Sequence, residues 1–324
     1  MPTSSITGGE PLSPPTPPLA RPNGLRVRAL ISLARPGHWA KNLLVVPLVM
    51  FDAQRLDLTT AARVGWSLVL FVIASSVVYV VNDIADRERD LLHPAKRSRP
   101  LAAGTVSLAS ARAFAAVLAL LLLLAVVTGP AIPVWPLLTY LVVNVAYSHW
   151  LKHVALFDVF VVTSGFVLRA AQGYAAAQTR MSVWLLASVF TLCLLMIAGK
   201  RRHEMTVGGM AHRPSLAAYS IQFLDYLMVL GGVLTATTFM LYLSDRRFAE
   251  PHTDAALIVS LPCVVFALAR YLQVVVVEQG GGDPVRTLLR DRVLLVTSLV
   301  WATALAVVAG ARHVPLLSGL LVGS

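Results

Sequence analysis

Charge is what this chain has least of. Of its 324 residues only 13% are Asp, Glu, Lys or Arg, while 57% are hydrophobic. One soluble core cannot hide so large an apolar share, which excludes an ordinary water-soluble domain. Cysteine is scarce too: Cys193 and Cys263 are the two present, both inside apolar runs, so neither a disulfide framework nor a zinc-type cluster is expected. The N-terminus lacks the charged start, unbroken apolar stretch and small-residue cleavage site of a secretory signal. Its opening residues are instead rich in Pro, Ser, Thr and Gly. Residues 1–28 therefore read as a disordered, Pro-rich cytoplasmic tail and 29–324 as one transmembrane domain.

What is present is a succession of apolar runs, each close to the roughly 20 residues that a hydrocarbon core demands. They predict an all-α polytopic membrane protein with nine transmembrane helices, near 38–57, 63–82, 108–128, 132–148, 154–177, 183–200, 222–243, 254–277 and 291–310. The formal net charge of +11 raises nucleic acid as a partner, but the distribution points to a bilayer. In the nine-span arrangement 18 Lys and Arg fall on one side and 6 on the other (Arg55, Arg63, Arg180, Arg246, Arg247, Arg312). That asymmetry predicts a cytoplasmic N-terminus and a cytoplasmic 82–107 loop in a multi-pass plasma-membrane protein. A basic rim of this kind serves topology and anionic lipid as well as phosphate ligands.

The most informative segment is VYVVNDIADRERDLLHPAKRSRPLAAG, residues 78–104. If the second span continues past Val81, then Asn82, Asp86 and Asp90 stand at i, i+4 and i+8 with Asp83 beside them, all on one face. Like charges so spaced destabilise a bare helix. A hard divalent cation supplies a reason, since Mg²⁺ is usually held by one or two carboxylates plus substrate phosphates. The same acids also suit a solvated helix end paired with Arg87 and Arg89. His93, Lys96, Arg97 and Arg99 follow within ten residues of Asp90, with Pro94 and Pro100 stiffening the chain between them. An acid stripe followed by a basic loop is what a metal-diphosphate site needs, because fixed cations must take the charge that the metal leaves.

These residues resemble the UbiA-type intramembrane prenyltransferase superfamily, whose first signature is Asn-(Asp)-x-x-x-Asp-x-x-x-Asp at the end of the second helix. Here it reads Asn82-Asp83-Ile84-Ala85-Asp86-Arg87-Glu88-Arg89-Asp90. The resemblance covers about residues 30–310 and implies nine helices around a central cavity open to lipid. Further segments, Arg35-Pro-Gly-His-Trp-Ala-Lys41-Asn42, His93 to Pro100, Tyr147 to Lys152, Ala198 to Arg201 and Leu289 to Arg292, resemble one branch of that superfamily. Its members are phosphoribosyltransferases that use phosphoribosyl diphosphate and decaprenyl (polyprenyl) phosphate, feeding cell-wall arabinan synthesis. The ordinary prenyltransferases carry a second Asp-x-x-x-Asp at the end of span 6. This chain has Lys200-Arg201-Arg202-His203-Glu204 there, a change that suits a donor with an extra phosphate; cations at a helix C-terminus also suit the dipole.

The resemblance implies Mg²⁺ as cofactor, with Asn82, Asp83, Asp86 and Asp90 as its ligands and Asp83, Asp86 and Asp90 as the catalytic acids. Expected substrate contacts are Lys41, Asn82, Lys96, Arg97, Arg99, Lys152, Asp158, Arg169, Lys200, Arg201 and Glu204. Arg169 would be costly facing lipid and should turn inward. Asp158 either pairs with Lys152 and His153 or orients donor hydroxyls. Trp39 reads as an interfacial anchor, and 203–221 as an amphipathic segment capping the cavity. A homo-oligomer is compatible with the sequence. Two other functions compete: transfer of a prenyl chain to an aromatic acceptor, which the missing second acidic motif disfavours, and transport, which lacks internal repeats and mid-membrane helix breaks here.

Overall fold

The structure is a computed structural model that describes residues 23–46, 57–92, 96–208, 214–245 and 253–311. Every regular element among them is helical. Helix α1 (Asn23–Leu33) is followed by a 3-10 helix (Pro36–Val45), then α2 (Leu58–Ala85), α3 (Arg87–Leu92), α4 (Leu108–Thr128) and α5 (Trp135–His149). A short 3-10 turn (Leu151–His153) leads to α6 (Phe157–Ala177) and α7 (Val183–Gly208). After another 3-10 turn (Pro214–Ala218) come α8 (Ile221–Ser244), α9 (Thr253–Val276), α10 (Pro284–Arg290) and α11 (Arg292–Ala311).

Among the described residues six helices are long and apolar enough to cross a bilayer: α2, α4, α6, α7, α8 and α9. The all-helical, polytopic expectation therefore stands in its coarse form. The stretches expected to span at 132–148 and 291–310 are the shorter helices α5 and α11. The first expected span, 38–57, runs as a 3-10 helix to Val45 and then enters residues 47–56, outside the described ones. The tail boundary also moves. Residues 1–22 lie outside the described set, but 23–28 are helical rather than disordered. Burial explains it: Ala29, Leu30 and Leu33 of α1 pack with Val80 of α2 and with Leu101.

Burial sorts the spans into inner and outer ones. About half of the apolar window is buried in α2 (50%), α6 (56%) and α7 (56%), against 11% in α4 and 17% in α9. The outer helices present Leu, Ile and Val outward, among them Leu120, Leu123, Ile258 and Val265, as a lipid-facing belt should. With no water in the hydrocarbon layer, polar groups inside it must find protein partners. Gln172 accordingly donates to Ser67 Oγ at 3.3 Å and to Pro133 O at 2.9 Å. Between α7 and α8 the backbones approach closely, since a Cβ added at Gly231 would lie 3.1 Å from Leu195 N and Thr191 O. Thr235 Oγ1 donates across the same contact to Thr191 Oγ1 at 3.0 Å. Small residues at such crossings are a common means of packing membrane helices.

Candidate active site

The end of α2 builds the acidic stripe. Helical hydrogen bonding survives the local break at Asp86: Asp86 N donates to Asn82 O at 2.9 Å, and Asp90 N to Asp86 O at 2.8 Å. Asn82, Asp86 and Asp90 thus keep their i, i+4, i+8 relation into α3. Asp83 and Asp90 are both buried, at 4% exposure.

Basic side chains from three other segments meet these acids. Arg99, in the turn after α3, donates through one nitrogen, Nη1, to Asp83 Oδ1 at 3.2 Å and to Asp90 Oδ2 at 2.6 Å. Arg35, just before the 3-10 helix, reaches the same Asp83 Oδ1 at 2.5 Å. Lys152 donates to Asp86 Oδ1 at 2.6 Å, and Arg89 stands farther off at 3.9 Å. Asn82 accepts from Ser148 Oγ, which also donates to Asn144 O at 2.7 Å. Lys96 is half-buried and Arg97 exposed in the turn that carries Arg99, while residues 93–95, including His93, lie outside the described set.

The 3-10 helix gives the site a second row of bases. With three residues per turn, positions three apart stand in line. Asn42 and Val45 are buried on one face, while Arg35, His38 and Lys41 follow one another, half-buried, on the next. The inner face is tied down, Asn42 Nδ2 donating to Ser75 Oγ at 3.1 Å and Trp39 Nε1 to Ser76 Oγ at 3.2 Å. Lys41 lies within electrostatic reach of Arg169, Asp283 and Arg35. Arg169 does turn inward: Nε donates to Asn42 Oδ1 at 2.8 Å, Nη1 to Gly165 O at 2.7 Å and Nη2 to Tyr140 Oη at 3.1 Å. Its guanidinium also lies 4.7 Å from the Tyr140 ring centre, a cation–π contact. At 5% exposure, it fixes the 3-10 helix against α5 and α6.

At the end of α7 the expected cations divide. Arg201 is 3% exposed and donates to Asp158 Oδ2 at 2.9 Å and to Glu204 Oε2 at 2.8 Å. Asp158, fully buried, also accepts from Ser215 Oγ at 3.1 Å and Tyr219 Oη at 2.6 Å. Burial, then the bond to Asp158, pushes the Tyr219 phenol above its ordinary range. This network locks α6 to α7 and to the turn before α8. Asp158 and Arg201 are occupied with each other, which suits positioning better than open contact with substrate. Lys200 is 40% exposed, 4.0 Å from Glu204, and remains a reachable cation. The 203–221 segment is not a continuous loop, since α7 runs on to Gly208 and Arg202 pairs with Asp225 at 2.6 Å.

Arg35, Ser148, Ser215 and Tyr219 are the partners that spacing alone does not single out. Arg35 carries a signal, standing at the head of the Arg35–Asn42 segment; the others join by tertiary folding from 57 to 66 residues away.

Among the described residues no three His, Cys, Asp or Glu side chains form a ready-made metal cluster. The donor set nevertheless fits Mg²⁺. One or two carboxylates plus substrate phosphates are the usual requirement, and Asp83 and Asp90 converge on a single cationic nitrogen, that of Arg99.

A helical membrane bundle with hard oxygen donors and cations gathered at one end has the chemistry that a highly charged ligand needs. Residues 44–277 match the UbiA prenyltransferase family, and the chain belongs to that family. Among curated relatives, the chain is 34% identical over 301 residues to the decaprenyl-phosphate phosphoribosyltransferase of Mycobacterium tuberculosis, covering 90% of this chain and 98% of that one. It is 33% identical over 296 residues to the protein of the same name from Mycolicibacterium smegmatis, covering 88% and 93%. Among solved structures, a UbiA homolog from Archaeoglobus fulgidus bound to GPP and Mg²⁺ superposes with a TM-score of 0.65 at 16% identity, covering 86% of this chain and 97% of that one.

Proposed function

We propose that the protein transfers 5-phosphoribose from phosphoribosyl diphosphate to decaprenyl phosphate, releasing diphosphate, at the cytoplasmic face of the plasma membrane. A phosphate oxygen of the lipid forms the new bond to ribose C1 as the bond from C1 to the diphosphate oxygen breaks, and the electron pair leaves with diphosphate. A strong general base is unnecessary, because a phosphate monoester with a second pKa near 6 is already mostly ionised at neutral pH. When bound, Mg²⁺ supplies Lewis-acid stabilisation of the leaving diphosphate.

The chain's own residues do the rest. Asp83 and Asp90, with Asn82 and Asp86 beside them, would hold the metal, and Arg99, Lys96 and Arg97 would receive diphosphate charge. Lys41 and Lys152, the further cations beside the acids and the 3-10 helix, are assigned to the 5-phosphate. Rate acceleration comes from positioning and fixed charge rather than from proton transfer.

The lipid acceptor is supported by a cavity of about 260 Å³ between α7, α8, α9 and α11, lined by Leu192, Met196, Phe239, Tyr271 and Trp301 among others. Lys200 continues the Leu192, Met196 row at i+8, one turn nearer the helix end. An isoprenoid tail in the cavity would bring its phosphate toward that ammonium.

The observation that carries this reading is a converging carboxylate pair surrounded by bases, with Lys200 in the last third of α7, where a second acidic motif would put a carboxylate. The test is membranes containing the protein, Mg²⁺, labelled phosphoribosyl diphosphate and decaprenyl phosphate, with label expected in the lipid phase. Absence of lipid label, with prenyl transfer from a prenyl diphosphate to an aromatic acceptor in the same membranes, would overturn it.

A further inference from the structure

We propose that Arg35 and Arg99 are exchangeable counter-ions: they neutralise Asp83 and Asp90 while no divalent cation is bound, and turn to the donor's diphosphate when one is. Metal and diphosphate then bind as a mutually dependent pair. The inference rests on reading this site as a metal-diphosphate site.

Three observations support it. The first is a burial contrast, the side chains of Asp83 and Asp90 being 5% exposed and those of Arg35 and Arg99 25% and 29%. The acids are fixed, and the arginines have room to leave. Second, both guanidiniums crowd one oxygen, Asp83 Oδ1, so the carboxylate keeps a cationic partner while one of them departs. Third, neither arginine sits within a long helix. Arg35 has a left-handed backbone (φ 51°, ψ 63°) before Pro36, and Arg99 lies in the turn after α3.

The charge balance gives the sign of the coupling. Asp83, Asp86 and Asp90 are matched by Arg35, Arg99 and Lys152, with Arg89 at the outer edge. Adding a divalent cation alone leaves excess positive charge beside nearly buried acids, which is unfavourable at low dielectric. A diphosphate alone finds the arginines already engaged. Supplied together, each ligand frees the partner that the other needs.

The experiment uses the full chain in nanodiscs, with Mn²⁺ binding followed by its spin resonance, alone and with methylenediphosphonate. The wild type should bind Mn²⁺ more tightly with the diphosphonate, within the roughly 5–150-fold range usual for coupled sites. Arg99→Gln should tighten Mn²⁺ binding in the absence of diphosphonate and reduce the coupling to below about twofold, under that usual range. Arg35→Gln, which leaves the Asp90 contact intact, should do the same to a smaller degree and serves as the second variant. Equal Mn²⁺ affinity with and without diphosphonate in the wild type overturns the exchange while leaving the metal site standing. So does weakened binding of Mn²⁺ alone in both variants. No Mn²⁺ binding under either condition removes the metal reading and the exchange with it.

Discussion

The molecule holds two acid–base networks that look alike on paper and differ in burial. At the end of α2, buried Asp83 and Asp90 face arginines that are a quarter or more exposed. Between α6 and α7, Asp158 and Arg201 are both buried, at 0% and 3%, with Ser215 and Tyr219 filling the remaining positions around the carboxylate. Ion pairs with one accessible partner can trade it for a ligand; a pair closed on both sides holds the scaffold. Charge count alone does not separate these two networks, whereas exposure of their arginines does.

That contrast can be broken by mutation. Asp86→Ala is expected to lower phosphoribose transfer by at least about 10²–10³-fold, the scale of losing one transition-state charge contact, with an unchanged melting temperature. A folded variant with near-normal label in the lipid phase would take Asp86 out of the mechanism. Asp158→Ala should act on stability instead, costing about 3–5 kcal/mol because it takes from Arg201 its buried partner, leaving only the more exposed Glu204, and leaves Ser215 and Tyr219 without their acceptor. Thermal unfolding reads this directly, and transfer per folded molecule should fall far less than in Asp86→Ala.

Smaller effects sharpen the line. Lys200→Met removes a charge-assisted phosphate contact of about 1.5–3 kcal/mol and should raise the KM for the lipid acceptor by about tenfold, with kcat little changed; an unaltered KM would separate Lys200 from the acceptor. Tyr219→Phe should cost about 1–3 kcal/mol of stability through two lost hydrogen bonds, the one donated to Asp158 and the one accepted from Leu156 N, leaving both KM values as they are. A shift in either KM would move Tyr219 from frame to site.

Much of the site is legible in the sequence because it is local. Asn82, Asp83, Asp86 and Asp90 lie within nine residues, and helical spacing alone puts them on one face. Their basic partners are harder to assign, since Arg35 and Lys152 reach them across 48 and 66 residues. Composition also does not distinguish one rim cation from the next: Lys200 and Arg201 are neighbours in sequence, yet one is 40% exposed and the other is sealed against Asp158. The 3-10 helix reads as the start of a span because Leu43 to Val46 begin an apolar run, and so few residues do not distinguish a repeat of 3.0 from one of 3.6. Helix α7 outruns its expected end at 200 because the charged residues that suggest a stop, Arg201 and Arg202, are held in ion pairs within the bundle.

The ten-residue 3-10 helix makes chain length in this stretch matter more than chemistry. Each residue turns it by a third of a circle, so one insertion between Arg35 and Lys41 would swing Lys41 out of line and spoil the anchoring of Asn42 on Ser75, even if every original side chain were kept. Substitution there changes one contact; a change of count would misalign all of them at once.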